Sequence, residues 1–146
     1  MKKLFSTNYS DNAFNIGIFL LRVTAGPAMG INWGYFKLTH FSALSANFPN
    51  PYHLPSSVAA GLLVFAEFFC ALMIVLGLLT RFAAFALVIA MGTAFFHAHG
   101  GQLFHKVSAN GFYTYPNVVP ALFLVIFFLI LLVGPGKFSV DKLIGK

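Results

Sequence analysis

The chain has 146 residues, of which 59% are hydrophobic, 17% are aromatic and only 8% are charged. Soluble domains are about one quarter charged, so this composition excludes an ordinary soluble fold and favours an integral membrane protein. The net charge of +6 does not indicate a nucleic-acid partner, because the nine Lys and Arg residues occur singly or in pairs between apolar runs.

Four apolar runs predict an all-α bundle of four transmembrane helices, with residues 1–146 forming a single domain. The predicted helices cover about residues 14–36, 57–79, 82–99 and 118–133, and a short interfacial helix with Ser139 as its N-cap follows at about residues 140–144. The second and third runs are separated only by "GLLTR", where Gly77 suits a helix C-cap and Thr80 an N-cap. These two helices are therefore expected to form a tight antiparallel hairpin.

The distribution of basic residues between the runs predicts the orientation of the bundle. If both termini are cytoplasmic, only Lys37 and Lys106 lie outside, and the cytoplasmic side carries Lys2, Lys3, Arg81, Lys137, Lys142 and Lys146. Cytoplasmic loops are enriched in Lys and Arg, so this orientation is favoured, and it requires an even number of spans.

Glu67 lies in the second run, in a stretch that otherwise contains no charge. At 100° per residue the helix face of Glu67 and the opposite face differ in the size of their side chains. The face of Glu67 carries Ala60, Leu63, Val64, Cys70 and Ala71, and the opposite face carries Leu62, Phe65, Phe69, Leu72 and Leu76. Small residues mark helix contacts in membranes and bulky ones tend to face lipid. Glu67 is therefore expected to point into the bundle.

The first and third runs also present polar residues on faces rich in small residues. Arg22 lies one turn before Gly26, Gly30 and Gly34, whose spacing is typical of close helix packing. Counting the helical rise from the outer edge places Glu67 about 13 Å, Arg22 about 18 Å and His97 about 7 Å deep. We therefore predict an ion pair between Arg22 and Glu67, with His97 above it.

Several simpler interpretations of these residues stay open. Arg22 could extend to the cytoplasmic interface, a protonated Glu67 could serve only as a hydrogen-bonded clip, or the ion pair could be purely structural. His97 and His99 point about 200° apart on a regular helix. Even with His105 nearby, no Cys or carboxylate completes a recognisable ligand spacing, and we predict no metal site.

Several motifs follow one another in a fixed order along the chain. They are "LLRVTAG", "WGYFK" with Gly34 and Lys37, "FAEFF", "LGLLTR", a His at position 97 or 99, and "GPGKFSVDKL". In this order they resemble the motifs of the DoxX family. Two positions differ, since Trp33 stands where the family often has His, and Asn117 where it has an acidic residue. The resemblance implies a four-helix protein of the bacterial inner membrane. Family members are associated with redox complexes, including thiol and superoxide defence partners and a quinone-linked subunit of thiosulfate oxidation.

These observations lead to a hypothesis of a membrane subunit in a quinone- or thiol-linked redox system. Its candidate ligand-binding cluster comprises Arg22, Lys37, Glu67, His97 and His99. No complete catalytic motif or cofactor signature is present, so enzymatic activity stays open and a quinone is the candidate ligand. The expected partners are the lipid bilayer, a redox enzyme and a second copy of the chain. The alternatives are a non-enzymatic scaffold or assembly factor and a small transporter.

Overall fold

The computed structural model describes residues 10–46, 48, 53–98, 101–103, 106–109 and 112–145. In this part of the chain the elements are α1 (Asp11–Thr39), α2 (Phe41–Ala46), α3 (Ser56–Leu76), α4 (Thr80–Thr93, continued by a π-helical turn over Ala94–Ala98), β1 (Val107–Ala109), β2 (Phe112–Thr114), α5 (Val118–Val133) and α6 (Val140–Ile144). The predicted helical fold is confirmed. A short antiparallel hairpin, in which Val107 pairs with Thr114, is an addition that strands of three residues are too short to signal in a sequence.

Three of the described helices are long and apolar enough to cross a membrane. They are Asp11–Thr39, Ser56–Leu76 and Thr80–His97. The fourth apolar helix, Val118–Val133, has 16 residues and a length of about 24 Å, which is less than a hydrocarbon core of about 30 Å. The prediction of a membrane protein built from apolar helices is confirmed.

Close packing of α1 against α3 sets the position of the candidate site. Glycines on α1 approach α3 at successive four-residue steps, pairing Gly26 with Val75, Gly30 with Ala71 and Gly34 with Glu67. A Cβ atom added at Gly34 would lie 2.5 Å from the Glu67 carbonyl oxygen, which leaves no room for a side chain. The two helices run antiparallel, and this contact fixes their register.

Both helices adopt a π-helical conformation where they meet. The π-helical segments are Gly30–Tyr35 in α1 and Phe65–Cys70 in α3, and Gly34 and Glu67 lie within them. Such segments insert an extra residue into a helix and occur frequently at functional sites. In the π-helical segment of α3, the side chains around Glu67 therefore project in different directions from those in a regular α-helix.

The turn between α3 and α4 is held by the C-terminal segment, residues 134–145. Gly77 ends α3 in the left-handed conformation with φ 70°, which confirms the predicted C-cap. The predicted N-cap role of Thr80 is wrong, because the cap comes from a residue distant in sequence: the Asp141 carboxylate accepts hydrogen bonds from the backbone N–H groups of Leu79 (2.6 Å) and Thr80 (2.9 Å). Ser139 caps α6 as predicted, accepting a bond from the Lys142 N–H.

Substituting Gly34 with Ala is expected to lower the free energy of unfolding in detergent by about 1–3 kcal/mol, because the new methyl group overlaps the backbone of α3. Thermal unfolding followed by circular dichroism measures the change. Gly61→Ala is the matched control, since a Cβ atom there meets nothing within 4 Å. Equal stability of the two variants would contradict the close approach of α1 and α3.

Candidate functional site

An ion pair between α1 and α3 forms the polar centre of the candidate site. Lys37 Nζ donates hydrogen bonds to both carboxylate oxygens of Glu67, at 2.7 Å to Oε1 and 2.6 Å to Oε2. The Glu67 side chain is 3% exposed and the Lys37 side chain 24% exposed. Short, charge-assisted bonds of this kind are stronger than neutral hydrogen bonds. The ion pair therefore compensates for burying a carboxylate inside the bundle.

The ion pair lines one wall of a cavity of about 250 Å³ between the four apolar helices. The other lining residues are mostly apolar: Met29, Trp33, Met91, Ala94, Pro116, Val119, Pro120 and Phe123. The Trp33 and Phe123 rings pack edge to face, with their centroids 5.5 Å apart and an interplanar angle of 76°. The cavity thus combines a charged pole with an apolar and aromatic body.

Arg22 lies away from this cavity, and the predicted ion pair between Arg22 and Glu67 is wrong. Arg22 is 1% exposed. Its guanidinium donates to four backbone carbonyl oxygens, those of Ile74 (2.8 Å), Val75 (3.1 Å), Pro135 (2.6 Å) and Phe138 (2.9 Å).

The register of α1 against α3 explains the separation of Arg22 from Glu67. Gly34 lies opposite Glu67, and Arg22 precedes Gly34 by twelve residues, or about 18 Å along the helix. Lys37 follows Gly34 by about one turn, so its side chain reaches the carboxylate. The depths counted separately along the two apolar runs placed Arg22 and Glu67 only about 5 Å apart in level, and this count misjudged the register.

The bonds of Arg22 join α1, the end of α3 and the C-terminal segment. A cation is favourable at a helix C-terminus, where carbonyl groups lack intrahelical partners. We call the assembly of Arg22, Asp141 and the turn at Gly77 the clasp. It holds the end of the bundle opposite to Lys37.

Within the clasp, burial raises the pKa of Asp141, but the hydrogen bonds from Thr80 and Leu79 and the nearby Arg22 charge lower it. The result is a pKa below the usual value for aspartate. The Asp141 carboxylate therefore stays ionised to lower pH than a free one, and its capping of α4 depends on that charge.

Of the two predicted histidines, the described residues include only His97. His97 is an exposed residue near the end of α4 and is absent from the cavity lining, although Ala94 one turn earlier contributes to it. His99 lies outside the described residues. The structure therefore brings together Lys37 and Glu67 from the predicted cluster, and the ligand-binding role of all five residues stays a prediction.

The apolar wall of the cavity was missed by the sequence analysis. Met29, Trp33 and Lys37 follow one another at four-residue spacing on α1, and this pattern was the available signal. The contributions of α4 and α5 required the tertiary structure. Among the described residues, no group of three His, Cys, Asp or Glu side chains is arranged to hold a metal ion.

Comparison with known proteins identifies the family. A family model described as DoxX matches residues 17–100, more than half of the chain. The chain belongs to the DoxX family. The matched region of this DoxX protein contains Arg22, Lys37 and Glu67, whereas Asp141 and the C-terminal segment follow it.

A curated relative of this DoxX protein gives no further information about function. An uncharacterized protein of Haemophilus influenzae is 28% identical over 118 residues, which cover 80% of this chain and 70% of the relative. No solved structure matches the chain.

Substituting Lys37 with Met is expected to lower the free energy of unfolding by about 3 kcal/mol, because it leaves the Glu67 carboxylate buried without a counter-charge. The double variant Lys37→Met/Glu67→Gln is expected to recover most of this loss. Chemical unfolding in detergent measures both changes, and Lys37→Arg is the charge-conserving control. The single variant Glu67→Gln completes the cycle. If the loss in the double variant equalled the sum of the losses in the two single variants, the residues would not interact.

Acidification is expected to weaken the clasp through Asp141. Because its pKa is lower in the folded state than in the unfolded state, the carboxylate stabilises the fold above about pH 4. This stabilisation is lost as the pH falls through the folded-state pKa. Melting curves between pH 6 and pH 3 should show a smaller loss for Asp141→Asn than for the unsubstituted protein. Parallel pH dependence of the two proteins would contradict the capping role.

Proposed function

We propose that this DoxX protein is a membrane subunit of a redox system and binds the head group of a small quinone-like ligand. The observation that supports this function is the cavity of about 250 Å³ with the Lys37–Glu67 ion pair at one pole. Binding sites for small molecules are mostly apolar and contain a few well-placed polar groups that orient the ligand. This cavity is slightly below the roughly 300 Å³ typical of drug-sized ligands, which suits one ring rather than a whole lipid.

The chemistry of the two charged residues suits a ligand that changes its protonation when it is reduced. Each oxygen of a quinone ring takes up a proton when the ring is reduced. Lys37 would donate a hydrogen bond to one of these oxygens, and Glu67 would relay protons from solvent to the reduced ring, being protonated itself before each transfer. The electrons would come from a redox enzyme bound to this subunit, as the family resemblance implies. Trp33 and Phe123 would hold the ring between apolar surfaces.

The proposed setting is the bacterial inner membrane, with α1, α3, α4 and α5 all crossing it and both termini in the cytoplasm. The positions of the basic residues support this orientation. The clasp then faces the cytoplasm and the Lys37–Glu67 ion pair lies nearer the outer surface. The shorter α5 creates a hydrophobic mismatch with the bilayer, and local thinning of the bilayer can accommodate it.

A non-enzymatic scaffold that recruits or stabilises other membrane proteins is the second candidate function. It is favoured by the clasp, in which Arg22 donates four hydrogen bonds to backbone carbonyl groups and joins parts of the fold. A scaffold would retain partner binding after the polar pole of the cavity is removed. The same variants therefore distinguish the two functions.

Fluorescence of Trp33 offers a direct binding assay, because it is the only tryptophan of the chain and lines the cavity. A short-chain ubiquinone analogue titrated into purified protein should quench this fluorescence saturably, without the proportional fall in lifetime that collisional quenching causes. Glu67→Gln and Lys37→Met should each weaken binding about tenfold, the effect of one lost charge-assisted hydrogen bond.

The matched control is Leu62→Ala, which removes an exposed side chain of α3 outside the cavity. It should bind the analogue like the unsubstituted protein. Non-saturable quenching, or equal affinity in the Glu67→Gln and Leu62→Ala variants, would contradict the proposed site.

A further inference from the structure

The clasp end of the bundle carries exposed basic side chains from α4 and from the C-terminal segment. Arg81 lies in the first turn of α4, and Lys137 and Lys142 lie in the C-terminal segment, the latter in α6. Arg81 lies against the start of the C-terminal segment, since a Cβ atom built on Gly134 would be 3.5 Å from its Nε atom. Arg81 is thus close to the segment that carries Lys137 and Lys142.

The acidic residues at this end compensate only a small part of the basic charge. The Asp141 carboxylate accepts hydrogen bonds from the backbone N–H groups of Leu79 and Thr80. Asp11, in the first turn of α1, is the other acidic residue at this end. The third acidic residue of the chain, Glu67, is paired with Lys37 far from the clasp.

Exposed apolar side chains lie beside these cations. Phe138 is 56% exposed, Leu143 75% and Ile144 70%. Apolar groups flanked by Lys and Arg are typical of segments that lie at the boundary between lipid head groups and acyl chains. Basic patches at the ends of transmembrane helices bind acidic lipid head groups.

From this combination we infer that the clasp end binds an anionic glycerophospholipid. Its phosphate would contact Arg81, Lys137 and Lys142, and its acyl chains would pass beside Phe138 and Leu143. Bound there, the lipid bridges α4 to the C-terminal segment and reinforces the contacts that Asp141 makes between them. This inference does not depend on the ligand of the cavity, which lies at the other end of α3.

Lipid binding can be measured by native mass spectrometry of the purified protein in detergent. Phosphatidylglycerol and phosphatidylcholine with identical acyl chains serve as probes. We expect at least tenfold tighter binding of phosphatidylglycerol, with the preference decreasing as salt is raised. Each of the variants Arg81→Gln, Lys137→Gln and Lys142→Gln should weaken phosphatidylglycerol binding about fivefold.

The matched control is Lys106→Gln, which removes an exposed cation that precedes β1 and lies outside the clasp. It should keep the full preference for phosphatidylglycerol. Equal binding of the two lipids, or equal losses in the Lys106→Gln and Lys137→Gln variants, would overturn the proposal. Displacement of the lipid by millimolar inorganic phosphate would also overturn it, since the site would then recognise phosphate alone.

Discussion

The contact between Gly34 and the Glu67 carbonyl is the constraint on which the rest of the structure depends. It brings the backbones of α1 and α3 together and fixes their register. With this register, Lys37 lies one turn beyond the contact and reaches the Glu67 carboxylate, while Arg22 lies three turns before it and reaches the end of α3. A single close approach therefore places Lys37 against the Glu67 carboxylate and the buried Arg22 against the end of α3.

The energetic cost of burying charge is offset in different ways at these two positions. Lys37 and Glu67 compensate each other as an ion pair that still borders a cavity, so that a ligand could exchange hydrogen bonds with them. Arg22 is compensated by four carbonyl oxygens at the clasp, and it does not line the cavity. At the clasp end the buried charge stabilises the fold, whereas at the other end the charged groups border the cavity.

Much of the fold follows from local sequence patterns, whereas the site depends on how helices align. Apolar runs predicted the helices, and the turn chemistry of Gly77 and Ser139 predicted two caps, because each signal lies within a few residues. The partner of Glu67 was mispredicted because run ends do not determine the register between helices. The cap on α4 was missed because Asp141 is remote in sequence, and the apolar wall of the cavity was missed because several helices contribute to it.

The identity of the partner of Glu67 can be measured directly by solid-state NMR of the protein in lipid bilayers. Glu67 is the only glutamate of the chain, so ¹³C-glutamate labels its carboxylate alone. With ¹⁵N-lysine, we expect strong dipolar dephasing of this carboxylate, which disappears in the Lys37→Arg variant. With ¹⁵N-arginine in the unsubstituted protein, we expect none. Dephasing by arginine but not by lysine would show that Arg22 is the partner and would contradict the register of α1 and α3 described above.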